Sequence, residues 1–339
     1  MLAIVLPGCA GHKLARHTGV SLVSDELKVD IRSVAPSIVG VLAEIRYEIH
    51  KYHYLTRNGQ FIPDPQSPVK YKLHATNGDA GISVEYDDQS KTGGGIILQH
   101  NKLRSTYTIL TSNHLVAPKD TIDFYYLDEE GASTDVLYAR YIVKGVKISV
   151  RGLSSWRARA RVVVRDERRD LAVLQVETTS LLGIEFSNPL GFDQSLSWGD
   201  WVFLFGYPKG IKQMTGGWIS ESPYPNTLAV DAVVRKGFSG GPVFCIRKES
   251  GKARLAFVGL VKSVPFSVLN YVTVTEPIAE GQRLQVEDIQ HLVVENKRMV
   301  DYGTAYFVSP QTIKEFLLVN RPKIEFAGIF LNERYYIDD

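Results

Sequence analysis

The sequence predicts an all-β fold, and two observations support that prediction. Short apolar runs rich in β-branched and aromatic residues, such as 108–111 and 171–176, alternate with clusters of Gly, Pro, Asn and Asp. Helical periodicity is rare along the chain. We therefore expect many short strands joined by turns.

One helix is predicted near the end of the chain, over residues 309–319. Ser309 suits the N-cap, and Pro310 suits the first helical position. Apolar residues follow at helical spacing: Ile313, Phe316 and Leu317.

Composition limits the classes of function. The 339 residues are 44% hydrophobic and include 28 glycines, enough for one large domain or two lobes. The formal charge of +2 gives no reason to expect nucleic acid as a partner. The two cysteines make no disulfide framework, and no zinc-type spacing occurs, so we expect neither a metal nor a cofactor.

The most informative motif is a serine framed by glycines, in the segment 237–242. Glycines leave the Ser239 hydroxyl and the neighbouring amides uncovered, as a nucleophile and an oxyanion hole require. The apolar, β-prone run 243–246 follows it directly, which argues against a flexible linker. Ser239 is therefore expected at the start of a core strand.

Two hydrolase arrangements use a serine framed in this way. In α/β-hydrolases a helix follows the serine, and the acid and histidine come later in the chain. Here a strand-like run follows, and His291 is the only downstream histidine. An α/β-hydrolase esterase is the weaker alternative.

The other arrangement needs a histidine, then an acid, upstream of the serine. His114 follows the β-prone run 108–111, and Asp170 begins the buried-strand pattern 170–176. Each of these residues alone has an ordinary structural explanation. Together with Ser239, they occur in the required order, each beside a predicted strand.

Three segments then resemble the signature blocks of trypsin-like serine peptidases, most of all the bacterial DegP/HtrA-type branch: 109–116, 170–176 and 231–244. The glycine-rich run 92–97 and the segment 198–210 are also similar to that branch. The likeness extends from about residue 30 to residue 319.

The resemblance implies two perpendicular six-stranded β-barrels with a C-terminal helix, and an active site between them. The peptidase domain would span 30–319, with barrel 1 at about 30–187, barrel 2 at about 195–308 and the closing helix at 309–319. The extension 320–339 is too short for the PDZ domain that many such proteins carry.

The resemblance also implies a serine endopeptidase. His114 would act as general base, Asp170 would orient it, and Ser239 would attack the substrate. The backbone N–H groups of Gly237 and Ser239 would form the oxyanion hole. The alternative is a trypsin-fold protein used for binding, whose site Phe238 or an insertion keeps closed.

For the substrate, the resemblance places Val233 at the base of the P1 pocket. Its apolar side chain favours small or aliphatic P1 residues over Lys or Arg. Val261 and Ser263 lie on the strand 259–263, expected to pair with an extended polypeptide. Three insertions would decorate the barrels: 47–88, 123–161 and 265–301.

The N-terminal residues are informative about the cellular location of the protein. Met1 to Cys9 resembles the end of a bacterial lipoprotein signal, with Cys9 as the lipidated residue and 1–29 as signal and tether. This reading places the protein in the cell envelope or periplasm, with membrane anchoring through Cys9. An ordinary terminus would leave a cytoplasmic location open. The sequence does not indicate the oligomeric state.

Overall fold

Two β-barrels make up most of the structure, which is a computed structural model. The all-β expectation is confirmed, and the α/β-hydrolase alternative is wrong because no parallel, helix-covered sheet surrounds Ser239 in the described part of the chain. The structure describes residues 25–75, 81–128, 132–152, 157–178, 196–249, 252–274, 292–301 and 303–336.

The first half of the chain supplies the first barrel and a small hairpin. Its strands are β1 (Ile38–Tyr52), β2 (Thr56–Arg57), β3 (Gln60–Phe61), β4 (Ile82–Asn101), β5 (Thr106–Thr111), β6 (Thr121–Leu127), β7 (Ser133–Arg151), β8 (Arg157–Asp166) and β9 (Leu171–Glu177).

The order β1-β4-β5-β9-β8-β7 closes into a six-stranded barrel because β7 also pairs with β1, while β6 continues the sheet beyond β7. Along β1, buried Ile45 and Tyr47 alternate with exposed Glu44 and Arg46, as a strand with one buried face requires.

The predicted insertion at 47–88 is an elongated hairpin. β1 and β4 stay paired from Ile38 opposite Ile96 out to Tyr52 opposite Ile82. β2 and β3 pair beyond that end, where the rings of Tyr54, Phe61 and others pack edge to face.

The second barrel follows in the chain. Its strands are β10 (Trp201–Gly206), β11 (Gln213–Ser220), β12 (Thr227–Asp231), β13 (Pro242–Glu249), β14 (Lys252–Ser263) and β17 (Thr304–Val308), closed in the order β10-β11-β12-β17-β14-β13. β15 (Phe266–Val274) and β16 (Leu292–Val300) pair as a separate hairpin within the predicted insertion 265–301. Residues 179–195, between the two barrels in the sequence, lie outside the described residues.

Helix α1 (Asp25–Val34) includes residues that the sequence assigned to a tether. Its Asp30 carboxylate is buried and accepts hydrogen bonds from Arg254 and from the backbone N–H of Leu255 on β14. Residues 25–29 therefore belong to a helix that packs against the second barrel.

A short helix, α2 (Asn113–Val116), follows β5, and α3 (Pro310–Phe326) follows the last strand. Ser309 caps α3 as predicted, since its Oγ accepts from the N–H of Thr312 at 3.3 Å. The helix continues past the predicted end at 319. It ends at Phe326, two residues before Gly328, whose φ of +78° favours glycine.

Each barrel has its own apolar interior, and a further apolar core lies between the barrels and holds them together. It joins residues on the outer faces of both barrels, which alternate along the strands with those of the barrel interiors, to the buried face of α3, where Ile313, Phe316 and Leu317 are fully buried. Residues after α3 also enter this core, and the Tyr335 hydroxyl donates to the carbonyl of Leu98 at 2.7 Å. The described part of the predicted C-terminal extension, residues 320–336, thus packs against the barrels.

Replacing Phe316 by Ala should reduce the free energy of unfolding by about 3–5 kcal/mol, because the fully buried ring would leave a cavity between the barrels. The matched control is Phe326→Ala in the same helix, whose ring is 95% exposed. That change should cost no more than about 0.5 kcal/mol. Chemical denaturation of both variants measures the difference, and equal losses would contradict the packing described here.

Candidate active site

The turn after β5 positions His114. All of β5 is buried, and Leu115 and Val116 on α2 enter the interior of the first barrel. The His114 side chain, between these anchors and Ser112, is 42% exposed. The buried flanks hold the imidazole at the barrel edge, where solvent and a ligand can reach it.

Asp170 contacts the same turn through three hydrogen bonds. Its Oδ2 lies 2.8 Å from His114 Nδ1, and its Oδ1 accepts from the His114 backbone N–H at 2.8 Å. Its backbone carbonyl accepts from Asn113 N–H at 3.1 Å. Asp170 has a φ of +58°, a left-handed conformation that Asp tolerates better than most residues. Strained backbone of this kind concentrates at functional sites.

The glycines on either side of Ser239 are required because neighbouring atoms pack closely against their backbone. Gly237 has a φ of +108°, and a Cβ there would lie 2.4 Å from the Cα of Pro208. Its carbonyl accepts from Tyr207 N–H at 2.7 Å. Gly240 has a φ of +72°, and a Cβ there would lie 2.4 Å from Thr111 Oγ1. The loop is tightly fitted, not flexible.

The two barrels meet through the backbone of this loop. The N–H of Gly94 on β4 donates to the carbonyl of Ser239 at 2.8 Å. A Cβ at Gly94 would lie 2.6 Å from the Cα of Gly241, so only glycine permits this approach. Thr111 Oγ1 donates to the Gly94 carbonyl at 2.7 Å. The glycine-rich run of β4 therefore joins the histidine and serine segments.

Phe238, the residue before the serine, is buried in the interior of the second barrel, with 3% of its surface exposed. It packs against Gly206, where a Cβ would lie 2.6 Å from the Phe238 Cα. The large aromatic side chain thus occupies an apolar site and anchors the loop on the core side of Ser239.

A cleft of about 680 Å³ between the barrels brings the predicted residues together. His114 and Asp170 line it from the first barrel, and Phe238 and Ser239 line it from the second. No hydrogen bond joins Ser239 to His114 within the described residues.

The predicted oxyanion donors are available to a ligand. Within the described part of the chain, the backbone N–H groups of Gly237 and Ser239 donate to no protein acceptor. The N–H of Phe238 between them donates to the carbonyl of Arg235 at 3.2 Å. The turn thus uses the middle amide and leaves its two neighbours unpaired.

The three residues predicted to line the substrate pocket differ in their positions in the structure. Val261 is buried and lines the cleft. Val233 is 62% exposed and is not among the residues lining the cleft, because Ala232 and Val234 on either side of it turn inward to the core. The assignment of Val233 to the pocket floor therefore does not fit this structure. The backbone of Ser263 pairs with Tyr306, while its side chain lies outside the described residues.

Lys91 is a site residue that the sequence did not single out. Its Nζ donates to the His114 backbone carbonyl at 3.1 Å, and its side chain lines the cleft. Burial lowers the pKa of this ammonium, and the nearby Asp170 carboxylate opposes that shift. Its position one residue before the glycine-rich run was the only sequence signal.

Cys9 lies outside the described residues, so its lipidation stays a prediction. In the described ranges, no helix is long and apolar enough to cross a membrane. No group of three His, Cys, Asp or Glu side chains in these ranges is arranged to hold a metal ion.

Residues 93–250 match the family model of the trypsin-like peptidase domain. Among curated proteins, the chain is similar to probable periplasmic serine endoproteases described as DegP-like. The Rhizobium meliloti (strain 1021) protein is 30% identical over 174 residues, which cover 45% of this chain and 34% of the relative. The Brucella suis protein is 27% identical over 173 residues, covering 45% and 33%. The chain spans about a third of the length of these relatives.

Solved structures of an HtrA-type protease are also similar to this chain. The HtrA-type protease AlgW with decapeptide is 16% identical, with a TM-score of 0.45, and the match covers 87% of this chain and 66% of that one. A variant of the same protease with decapeptide gives 15% identity and a TM-score of 0.47, covering 89% and 67%.

Replacing Asp170 by Asn should reverse the tautomer of the neutral His114 imidazole. The Asn oxygen can still accept from the His114 backbone N–H, but its NH₂ would then face Nδ1 and favour a proton on Nε2. Nitrogen-15 NMR of the histidine side chains reports which ring nitrogen carries the proton. An unchanged His114 spectrum would contradict the contact between the carboxylate and Nδ1.

Proposed function

Because the chain carries a trypsin-like peptidase domain of the DegP/HtrA type, we propose that it is a serine endopeptidase with His114, Asp170 and Ser239 as its catalytic residues. The observation that carries the proposal is the cleft in which the His114–Asp170 pair and Ser239 meet. The buried Asp170 holds Nδ1 and leaves Nε2 to act as a base.

In the proposed mechanism, His114 Nε2 takes the proton of Ser239 Oγ while that oxygen bonds to the substrate carbonyl carbon. The tetrahedral intermediate then collapses, the C–N bond breaks, and His114 gives the proton to the leaving amine. Water repeats the sequence on the resulting acyl-enzyme and releases the acid. Asp170 stabilises the imidazolium in both halves.

The amides of Gly237 and Ser239 would stabilise the negative oxygen of each tetrahedral intermediate. Both lack protein acceptors in the described chain, and the fitted backbone of Gly237 fixes one of them. Donors fixed before the reaction need no reorganisation when charge develops, which is why they contribute strongly to rate.

The proposed substrate is an extended polypeptide with a small or aliphatic P1 residue. Val261 and Val264 give the second-barrel side of the cleft an apolar wall, and the two carboxylates that line the described cleft both come from the first barrel. The Val261 N–H and carbonyl already bond to Gly241 and Gly240. Strand-like pairing with substrate would therefore use β14 beyond Val261.

We also propose a location in the cell envelope or periplasm, supported by the relatives described as periplasmic. Fractionation of cells that express the chain checks this, and recovery with the cytoplasmic fraction alone would overturn it.

The missing hydrogen bond between Ser239 and His114 favours a second candidate, a gated form of the same fold. Hydrogen bonds at catalytic sites often tighten only when substrate binds. A gated protein would react with a small serine-directed reagent without digesting a general substrate. The first experiment below separates the two candidates.

Replacing Ser239 by Ala should abolish fluorophosphonate labelling and casein digestion, because no other group supplies the attacking oxygen. Ser90→Ala is the control, since Ser90 is exposed on β4 and does not line the cleft. Labelled wild-type protein that leaves casein intact would support the gated form. Labelling retained in Ser239→Ala would refute the assigned nucleophile.

Replacing Gly237 by Ala should slow labelling by roughly 10²–10³-fold, the usual effect of losing one oxyanion donor. The added Cβ would collide with Pro208 and displace the loop. Gly59→Ala is a matched control, because Gly59 also has positive φ, at +77°, but has open space around its Cβ. Equal labelling rates in the two variants, with thermal unfolding measured in parallel, would argue against this oxyanion hole.

A further inference from the structure

The cleft carries a local excess of positive charge that the whole chain lacks. Lys and Arg number 39 along the sequence against 37 Asp and Glu, so the molecule is nearly balanced. Among the described residues, two carboxylates line the cleft, those of Glu167 and Asp170, and the second is bonded to His114. Five cationic side chains line the same space: Lys91, Lys119, Arg235, Lys236 and Lys262.

Four of these side chains have no ion-pair partner in the described part of the chain. Lys91 is engaged with the His114 carbonyl, but the other four, here called the cleft cations, form no ion pair within the described residues. Some cations elsewhere on the surface are paired, as Arg46 is with Asp88 at 2.9 Å and Arg140 with Asp123 at 2.7 Å, whereas others, such as Lys102 and Arg157, are exposed without an ion pair among the described residues. The cleft is distinguished by the number of cations that line one space.

The cleft cations reach the cleft from separate elements of both barrels. Arg235 and Lys236 directly precede Gly237, Lys262 follows Val261 on β14, and Lys119 follows α2 on the first barrel. A peptide held over Ser239 would therefore face positive charge from both walls of the cleft. A cleft lined by one sign of charge concentrates ligands of the opposite sign.

We propose that this cleft selects acidic polypeptide segments, with Asp or Glu side chains flanking the scissile bond and a small residue at the bond itself. The selectivity rests on the proposed peptidase function and adds the substrate class to it. Exposed charge pairs are individually weak, so two flanking carboxylates should favour cleavage by about tenfold over neutral side chains.

Three peptides of one scissile sequence test this, carrying Glu, the isosteric Gln or Lys at two flanking positions. In low salt, kcat/KM should fall in the order Glu, Gln, Lys, and the differences should shrink near 1 M salt, where the Debye length is about 3 Å. Equal cleavage of all three peptides would overturn the inference and leave the peptidase proposal standing.

Reversing the charge of two cleft cations tests whether the peptide preference arises from the cleft. The double variant Lys119→Glu and Arg235→Glu, two exposed side chains, should reverse the order of the Glu and Lys peptides. The control is Lys102→Glu with Arg157→Glu, which makes the same change in net charge at exposed positions outside the cleft. A reversal in the control as well would attribute the preference to overall charge and overturn the inference.

If no peptide is cleaved, that result counts against the peptidase proposal. A binding measurement then still tests the preference for acidic peptides. Ser239→Ala protein should bind the fluorescent Glu peptide more tightly than the Gln peptide in low salt, by anisotropy. Equal affinities would overturn the inference. An oligonucleotide that binds more tightly than the Glu peptide would assign the cleft cations to nucleic acid and also overturn it.

Discussion

The structure of the candidate site depends on the close approach of two backbones, those of β4 and of the loop that carries Ser239. The hydrogen bond from Gly94 to the Ser239 carbonyl is possible only because neither segment has a side chain in the way. Thr111, the last residue of β5 and three residues before His114, bonds to the same Gly94. The segments that carry His114 and Ser239 are thus both hydrogen-bonded to Gly94, although they belong to different barrels.

The two barrels hold His114 and Ser239 in different ways. The first barrel holds His114 by hydrogen bonds to Asp170, whose left-handed backbone brings its carbonyl and carboxylate to the same turn. The second barrel holds Ser239 by steric fit around Gly237 and by the burial of Phe238. Polar contacts therefore set the orientation of the base, and packing sets the position of the nucleophile.

The sequence predicts those features that depend on local chemistry. The Ser309 cap, the glycine frame of Ser239 and the turn positions of His114 and Asp170 follow from residue types at short range. The outward direction of Val233 could not be predicted, because it depends on the alternation between Ala232 and Val234 beyond the end of β12. The cleft cations lie far apart in the sequence, so only the barrel closure shows that they share a surface.

The burial of Phe238 attaches the serine loop to the core of the second barrel through apolar contacts. Such an attachment depends on the exclusion of water and on dispersion contacts, not on a charged pair. Apolar burial weakens as temperature falls, since its driving force near room temperature is mainly entropic. Among the contacts that position the nucleophile, this apolar anchor is therefore the one that cooling weakens.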